Sequence, residues 1–138
     1  MTNLNFSISE LIHSDNAIKA GIDNTPTIKE IDNLLNLIFY CLQPIRNKIG
    51  KKIKVTSGFR CEMVNFLAGG KVNSNHRIGC AADIIPEDKN FKAIYDYVVN
   101  NLDYDECFIE TNSRGAKWLH IAYRKGANRK KCNPNYLA

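Results

Sequence analysis

Apolar positions along this chain fall into a few periodic runs, separated by polar stretches that carry the turn residues. The longest run is Ile28, Ile31, Leu35, Ile38, Leu42, Ile45 and Ile49. Its alternating steps of three and four residues predict one apolar face of an amphipathic helix from about Thr27 to Ile49. Thr25-Pro26 reads as the N-cap and first helical residue. Pro44 should bend the helix, and Gly50 should end it, with Arg46 and Lys48 in the last turn. Upstream, Ser7-Ile8-Ser9-Glu10 has the form of a capping box. It predicts a short helix over roughly Ser9 to His13, followed by a polar loop through Gly21-Ile22-Asp23-Asn24.

Beyond Gly50 the runs shorten. Ile53 to Thr56 reads as a strand, Arg60 to Leu67 as a short helix, and Gly69-Gly70 through Asn75 as a loop. Ala82 to Ile85 reads as a second strand, stopped by Pro86. Phe91, Ile94, Tyr95 and Val98 share one face of a helix over Phe91 to Asn100. Cys107 to Glu110 and Trp118 to Tyr123 read as the two strands of a hairpin, joined by a loop holding Asn112, Ser113, Arg114 and Gly115. The tail from Gly126 is basic and irregular. Helices lead and strands cluster later, which predicts the α+β class. With 138 residues the chain is expected to be a single domain, 1–138.

Composition excludes several classes. Hydrophobic residues at 44% and charged residues at 24% are those of a globular domain, not of a disordered or low-complexity chain. The most apolar stretch, Leu34 to Leu42, is too short to span a bilayer and is broken by Asn36. The start, MTNLNFSISE, has neither a basic nor an apolar region of the secretory kind, so the expectation is synthesis in a cytoplasm without a signal peptide. Lys and Arg exceed Asp and Glu by 19 to 14, a net charge of +5. That excess favours an anionic partner or a solvated basic surface. The clusters Lys51, Lys52, Lys54 and Arg124, Lys125, Arg129, Lys130, Lys131 lack interleaved aromatics, so nucleic acid is not the expected partner. The five cysteines form no CxxC, which argues against a thiolate zinc cage and for small buried side chains.

Three histidines remain. His13 stands beside the first short helix with no partner residue near it, as a surface or packing histidine would. His76 lies in a loop, seven residues before Asp83, which is an isolated charge in the apolar strand AADII. A buried carboxylate needs a cation, from a side chain or a metal. His120 is likewise the polar residue of an apolar run, sharing a strand face with Trp118 and Ala122. Two imidazoles and a carboxylate on or beside central strands suit Zn²⁺ with an open fourth position. They also suit non-haem Fe(II), though those sites usually space the first histidine and the acid two residues apart. A satisfied core histidine is the bland alternative for each.

Taken together, Ser57-Gly58-Phe59-Arg60, Gly69-Gly70, the SxHxxGxAxD element from Ser74 to Asp83, Asp105 to Glu110 and Trp118-Leu119-His120 resemble the M15 zinc peptidases, and most nearly their small single-domain phage and prophage branch. The resemblance runs almost end to end. It implies a Hedgehog/DD-peptidase-like fold, a small antiparallel sheet packed with helices. It also implies a zinc-dependent hydrolase of peptide bonds in bacterial peptidoglycan, endolysin-like or D,D-carboxypeptidase-like, with the stem peptide as its partner. Carried over by motif, the zinc ligands are His76, Asp83 and His120. Arg60 matches the arginine that holds a substrate carboxylate or oxyanion, and Ser74 either contacts substrate or caps its loop. A monomer is expected, acting on the cell wall after release, as in phage or prophage lysis.

The general base departs from the common pattern. Many relatives place an acid three residues before the last histidine, where this chain has Lys117. Glu110, which ends the Asp105 to Glu110 segment, is the substitute, against the alternative of an exposed hairpin carboxylate. Glu106, where Gln is common, is expected to be peripheral. Lys117 also keeps open a metal-containing wall-binding module that has lost catalysis.

Overall fold

Thr27 opens the longest helical run with a reciprocal cap: its hydroxyl accepts from Glu30 N, and Glu30 accepts from Thr27 N at 2.9 Å. The cap therefore falls at Thr27 and not at Thr25, which is tied instead to Asp23. The structure, a computed structural model, describes residues 4–134. In it the run divides into α3 (Ile28–Leu37), a π turn (Ile38–Leu42) and α4 (Gln43–Ile49), closed by Gly50 in the left-handed region. Proline has no N–H and its ring crowds the carbonyl four residues back. The π turn ends at Gln43, whose N–H bonds to Ile38 O, so the register changes immediately before Pro44. What the sequence suggests as a bend is built as a wider turn.

The apolar face also differs from the expected one. Leu34, Leu37, Ile38, Cys41, Leu42 and Ile45 are buried, whereas Ile28 and Leu35 are exposed. The run carries adjacent apolar pairs, so two phases fit the periodicity, and packing selects one of them.

Before this run lie α1 (Ile8–Ile12), capped by Ser7, and α2 (Asp15–Ala20), capped by Ser14 and ended by Gly21. The second replaces the first part of the expected loop. It buries only Ala17, so it leaves no apolar period in the sequence. After α4 come β1 (Ile53–Ser57), α5 (Glu62–Leu67), a 3-10 turn (Asn75–Ile78), β2 (Ala81–Pro86), α6 (Phe91–Asn101), β3 (Glu106–Thr111), β4 (Lys117–Ala122) and β5 (Lys131–Cys132).

The sheet order is β1-β2-β4-β3-β5. Four strands pair antiparallel, as expected, but β5 adds to β3 in parallel and makes the sheet mixed. The tail expected to be irregular supplies this edge strand. Side chains alternate across a strand. Ala82, Ile84, Cys107, Ile109, Leu119 and Ile121 face the helices and join Leu34, Leu42, Ile94 and Val98 in one core. The opposite face carries Asp83, Phe108 and His120. Among the described residues, no helix is long and apolar enough to cross a membrane.

Burial raises the Cys41 thiol to about 12, with Asp103 adding to the effect, and raises Cys80 to about 11. A thiol needs its thiolate to attack, so neither is a nucleophile near neutral pH.

Candidate metal centre

Sheet register sets two of the three predicted ligands side by side. Asp83 on β2 pairs directly with His120 on β4, and Phe108 on β3 pairs with His120 from the other side, its ring stacked at 5.8 Å between centroids. The third, His76, comes from the 3-10 turn. Ser74 caps that turn by accepting from His76 N at 3.2 Å, and Gly79 closes it with φ of 79°. A Cβ on Gly79 would stand 2.6 Å from Glu30 O, so the turn sits hard against α3. Asn33 Nδ2 donates to Ile78 O at 2.8 Å, and Arg77 pairs with Glu30 at 3.2 Å.

His76 Nε2 and His120 Nδ1 lie 3.2 and 3.1 Å from the same oxygen, Asp83 Oδ1. All three residues are buried, and their candidate ligand atoms lie within 4.8 Å of one another. The outer nitrogens are already engaged: His76 Nδ1 lies 2.8 Å from Gly58 O, and His120 Nε2 lies 2.8 Å from Glu106 Oε1. A carbonyl or a carboxylate only accepts, so each outer nitrogen carries a proton. A neutral imidazole has one N–H, which leaves two lone pairs aimed at a carboxylate oxygen. That arrangement is repulsive unless a cation lies between them, either extra protons or a metal ion. The donor set therefore fits a divalent ion bound by two nitrogens and one oxygen.

Without a metal, a proton on His120 supplies positive charge there. Burial opposes charge on His120, but Asp83 and Glu106 outweigh it and push its pKa up to about 9. Burial opposes ionisation of Asp83, but hydrogen bonds from His120 and His76 outweigh it and hold its pKa below the usual carboxylate range.

Arg60 adjoins this set. Its Nε donates to Ser57 Oγ at 3.0 Å and its Nη2 lies 3.5 Å from Asp83 Oδ2. Burial lowers its pKa, and the charges of Asp83 and Glu110 act against that. Glu110 pairs with Trp118 across the hairpin and accepts from its indole N–H at 3.0 Å. Two residues along each strand from the Phe108–His120 pair, it stands on the same face and lines the same cleft. Lys117 is an odd number of residues from His120. It therefore lies on the other side of β4, its ammonium 5.4 Å from the centre of the Phe91 ring.

Glu106 is not peripheral. It shares a strand face with Phe108 and Glu110 and meets His120 directly. The expected hairpin began at Cys107 and left it outside; extending β3 by one residue would have placed it. His13 lies apart from the set, against Asp15. The cleft over the centre has a volume of about 700 Å³. Its lining includes Arg60, Lys71, Arg77, Arg124, Arg129 and Lys131, a predominantly cationic wall.

The α+β domain thus carries, at the floor of a cleft, a buried His-Asp-His set that could hold a metal ion. The family model of Peptidase M15 matches residues 4–122, and the chain belongs to that family. No curated protein matches it.

Proposed function

We propose that this protein is a zinc-dependent peptidase that hydrolyses peptide bonds in bacterial peptidoglycan, endolysin-like or D,D-carboxypeptidase-like. The observation that carries this reading is the convergence of His76 Nε2, Asp83 Oδ1 and His120 Nδ1 beneath the cleft of a Peptidase M15 domain. These three residues would hold the ion. When bound, zinc supplies Lewis acidity, which acidifies water and polarises a carbonyl.

The chain's own residues do the rest. Glu110, held through Oε1 by Trp118, takes the proton of the attacking water. The water oxygen adds to the carbonyl carbon, the C–N bond breaks, and Glu110 returns the proton to the leaving amine. Arg60 holds negative charge on the substrate, either a terminal carboxylate or the developing oxyanion; its bond to Ser57 fixes the guanidinium before substrate arrives. Ser74 uses its oxygen to cap the His76 turn and has its hydroxyl proton to offer a substrate carbonyl. No covalent intermediate is required.

The cationic cleft wall and the net charge of +5 support an anionic polymer as substrate, so binding should weaken as salt rises. The domain acts as a monomer on the wall after release from the cell that makes it, as in phage or prophage lysis. Mass spectrometry of muropeptides from purified sacculi, digested with and without chelator, tests this. Chelator-sensitive cleavage of stem peptides, lost in Glu110→Gln, is the expected result and identifies the bond. Zinc-loaded protein that binds walls and releases nothing would instead identify a non-catalytic wall-binding module.

A further inference from the structure

His120 has two ring nitrogens and two different neighbours. Nδ1 faces Asp83, and Nε2 faces Glu106 Oε1 at 2.8 Å. That same Glu106 oxygen accepts from Asn75 Nδ2 at 2.7 Å. Asn75 is buried and also donates to Asp105 Oδ2 at 2.8 Å. Asp105 is fully buried and takes a two-pronged grip from Arg129, Nε to Oδ1 at 2.9 Å and Nη2 to Oδ2 at 2.7 Å. Arg129 Nη2 also lies 3.6 Å from Glu106 Oε2. A continuous chain of contacts thus runs from Arg129, beyond the stretch matched by the family model, to one candidate ligand.

We propose that Glu106, held by Asn75 and Arg129, is the positioning residue of His120. It fixes the ring with the proton on Nε2, so that Nδ1 presents its lone pair to the ion. This rests on the metal-centre reading of His76, Asp83 and His120. The arrangement on the opposite side of the centre follows the same logic, with Gly58 O as the acceptor for His76 Nδ1. One imidazole is oriented by the backbone and the other by a side chain, and the second support can be removed directly by replacing that side chain. Partners of this kind fix the ring and raise ligand basicity, and their loss typically weakens metal binding 10- to 100-fold.

The test compares Glu106→Leu and Glu106→Gln with the wild-type chain. Zinc affinity is measured by chelator competition, the visible spectrum is recorded with cobalt in place of zinc, and the metal-free forms are melted to confirm folding. Glu106→Leu should bind zinc about 10- to 100-fold more weakly and give an altered cobalt spectrum. Glu106→Gln keeps an acceptor for the Nε2 proton, so it should hold the wild-type spectrum and stay within about 10-fold in affinity. A folded Glu106→Leu with wild-type affinity and spectrum would overturn the proposal, as would a Gln variant impaired as much as the Leu variant. Should Glu106→Leu not fold, Glu106→Ala takes its place: zinc binding about 10-fold or more weaker supports the proposal and wild-type affinity overturns it. Zinc binding that follows this pattern in a protein without hydrolytic activity would sink the peptidase reading and leave Glu106 in its role. Active wild-type protein with a normally binding Leu variant would do the reverse.

Discussion

Gly58 joins the fold to the metal centre, and Gly58→Ala should damage both. A Cβ at this position would stand 2.1 Å from Leu11 O and 2.9 Å from Leu11 C. Ordinary van der Waals contact begins at 3.4 Å, so the two backbones must separate by about 1 Å. Neither is a flexible side chain that can swing aside. The adjoining Phe59 N–H bonds to Leu11 O at 2.8 Å, and a separation of that size breaks the bond. Gly58 O moves with it and withdraws from His76 Nδ1. Overpacking costs about 1–3 kcal/mol and each of the two lost hydrogen bonds about 0.5–1.5 kcal/mol, so the expected destabilisation is about 2–6 kcal/mol. Urea unfolding of the metal-free chain measures that loss through the midpoint. Chelator competition should show zinc affinity at least about 10-fold weaker, because His76 is no longer oriented. Gly115→Ala is the control: Gly115 has φ of 82° with nothing near its Cβ, so it strains the backbone without displacing a neighbour or touching zinc affinity. A Gly58→Ala protein within about 0.5 kcal/mol of wild type, with unchanged zinc affinity, would refute the reasoning.

Three further outcomes are expected. Glu110→Gln should retain zinc, measured by bound metal, while muropeptide release falls by about 10²- to 10⁴-fold, the usual worth of a general base. Lys117→Ala should leave release unchanged in the same assay, because its side chain packs over Phe91 on the far side of β4. Burial opposes ionisation of Asp105, but Arg129 and Asn75 outweigh it and bring its pKa from 3.8 down to about 2. A depressed carboxylate stabilises the fold above its unfolded pKa and loses that contribution as pH falls through its folded one. Urea midpoints should therefore drop between about pH 4 and pH 2, and Asp105→Asn should flatten that segment of the profile.

Elements with one clear period were legible in the sequence. Phe91, Ile94, Tyr95 and Val98 are the buried face of α6, and the hairpin forms with its loop where the turn residues stand. Elements that depend on distant contacts were not. β5 exists because Lys131 and Cys132 find Glu106 and Cys107, a pairing without local pattern. The face of α3 was ambiguous because apolar residues come in neighbouring pairs, and the π turn then shifts the phase further. At the site, His76, Asp83 and His120 stood out as polar residues beside or within apolar strands, which is how a buried polar cluster must look in one dimension. Glu106 sits at the end of its strand among other acids and carries no such contrast; only the register with His120 reveals it. Strand parity also explains Lys117, since an offset of three residues reverses the face.

Metal content of the purified chain tests the central claim most directly, by elemental analysis after zinc loading and removal of free ion. One zinc per wild-type chain, and none retained by His76→Ala, Asp83→Ala or His120→Ala variants that still fold, is the expected result. A wild-type chain that takes up no zinc, or single variants that hold it as well as the parent, would contradict a site built from these three side chains.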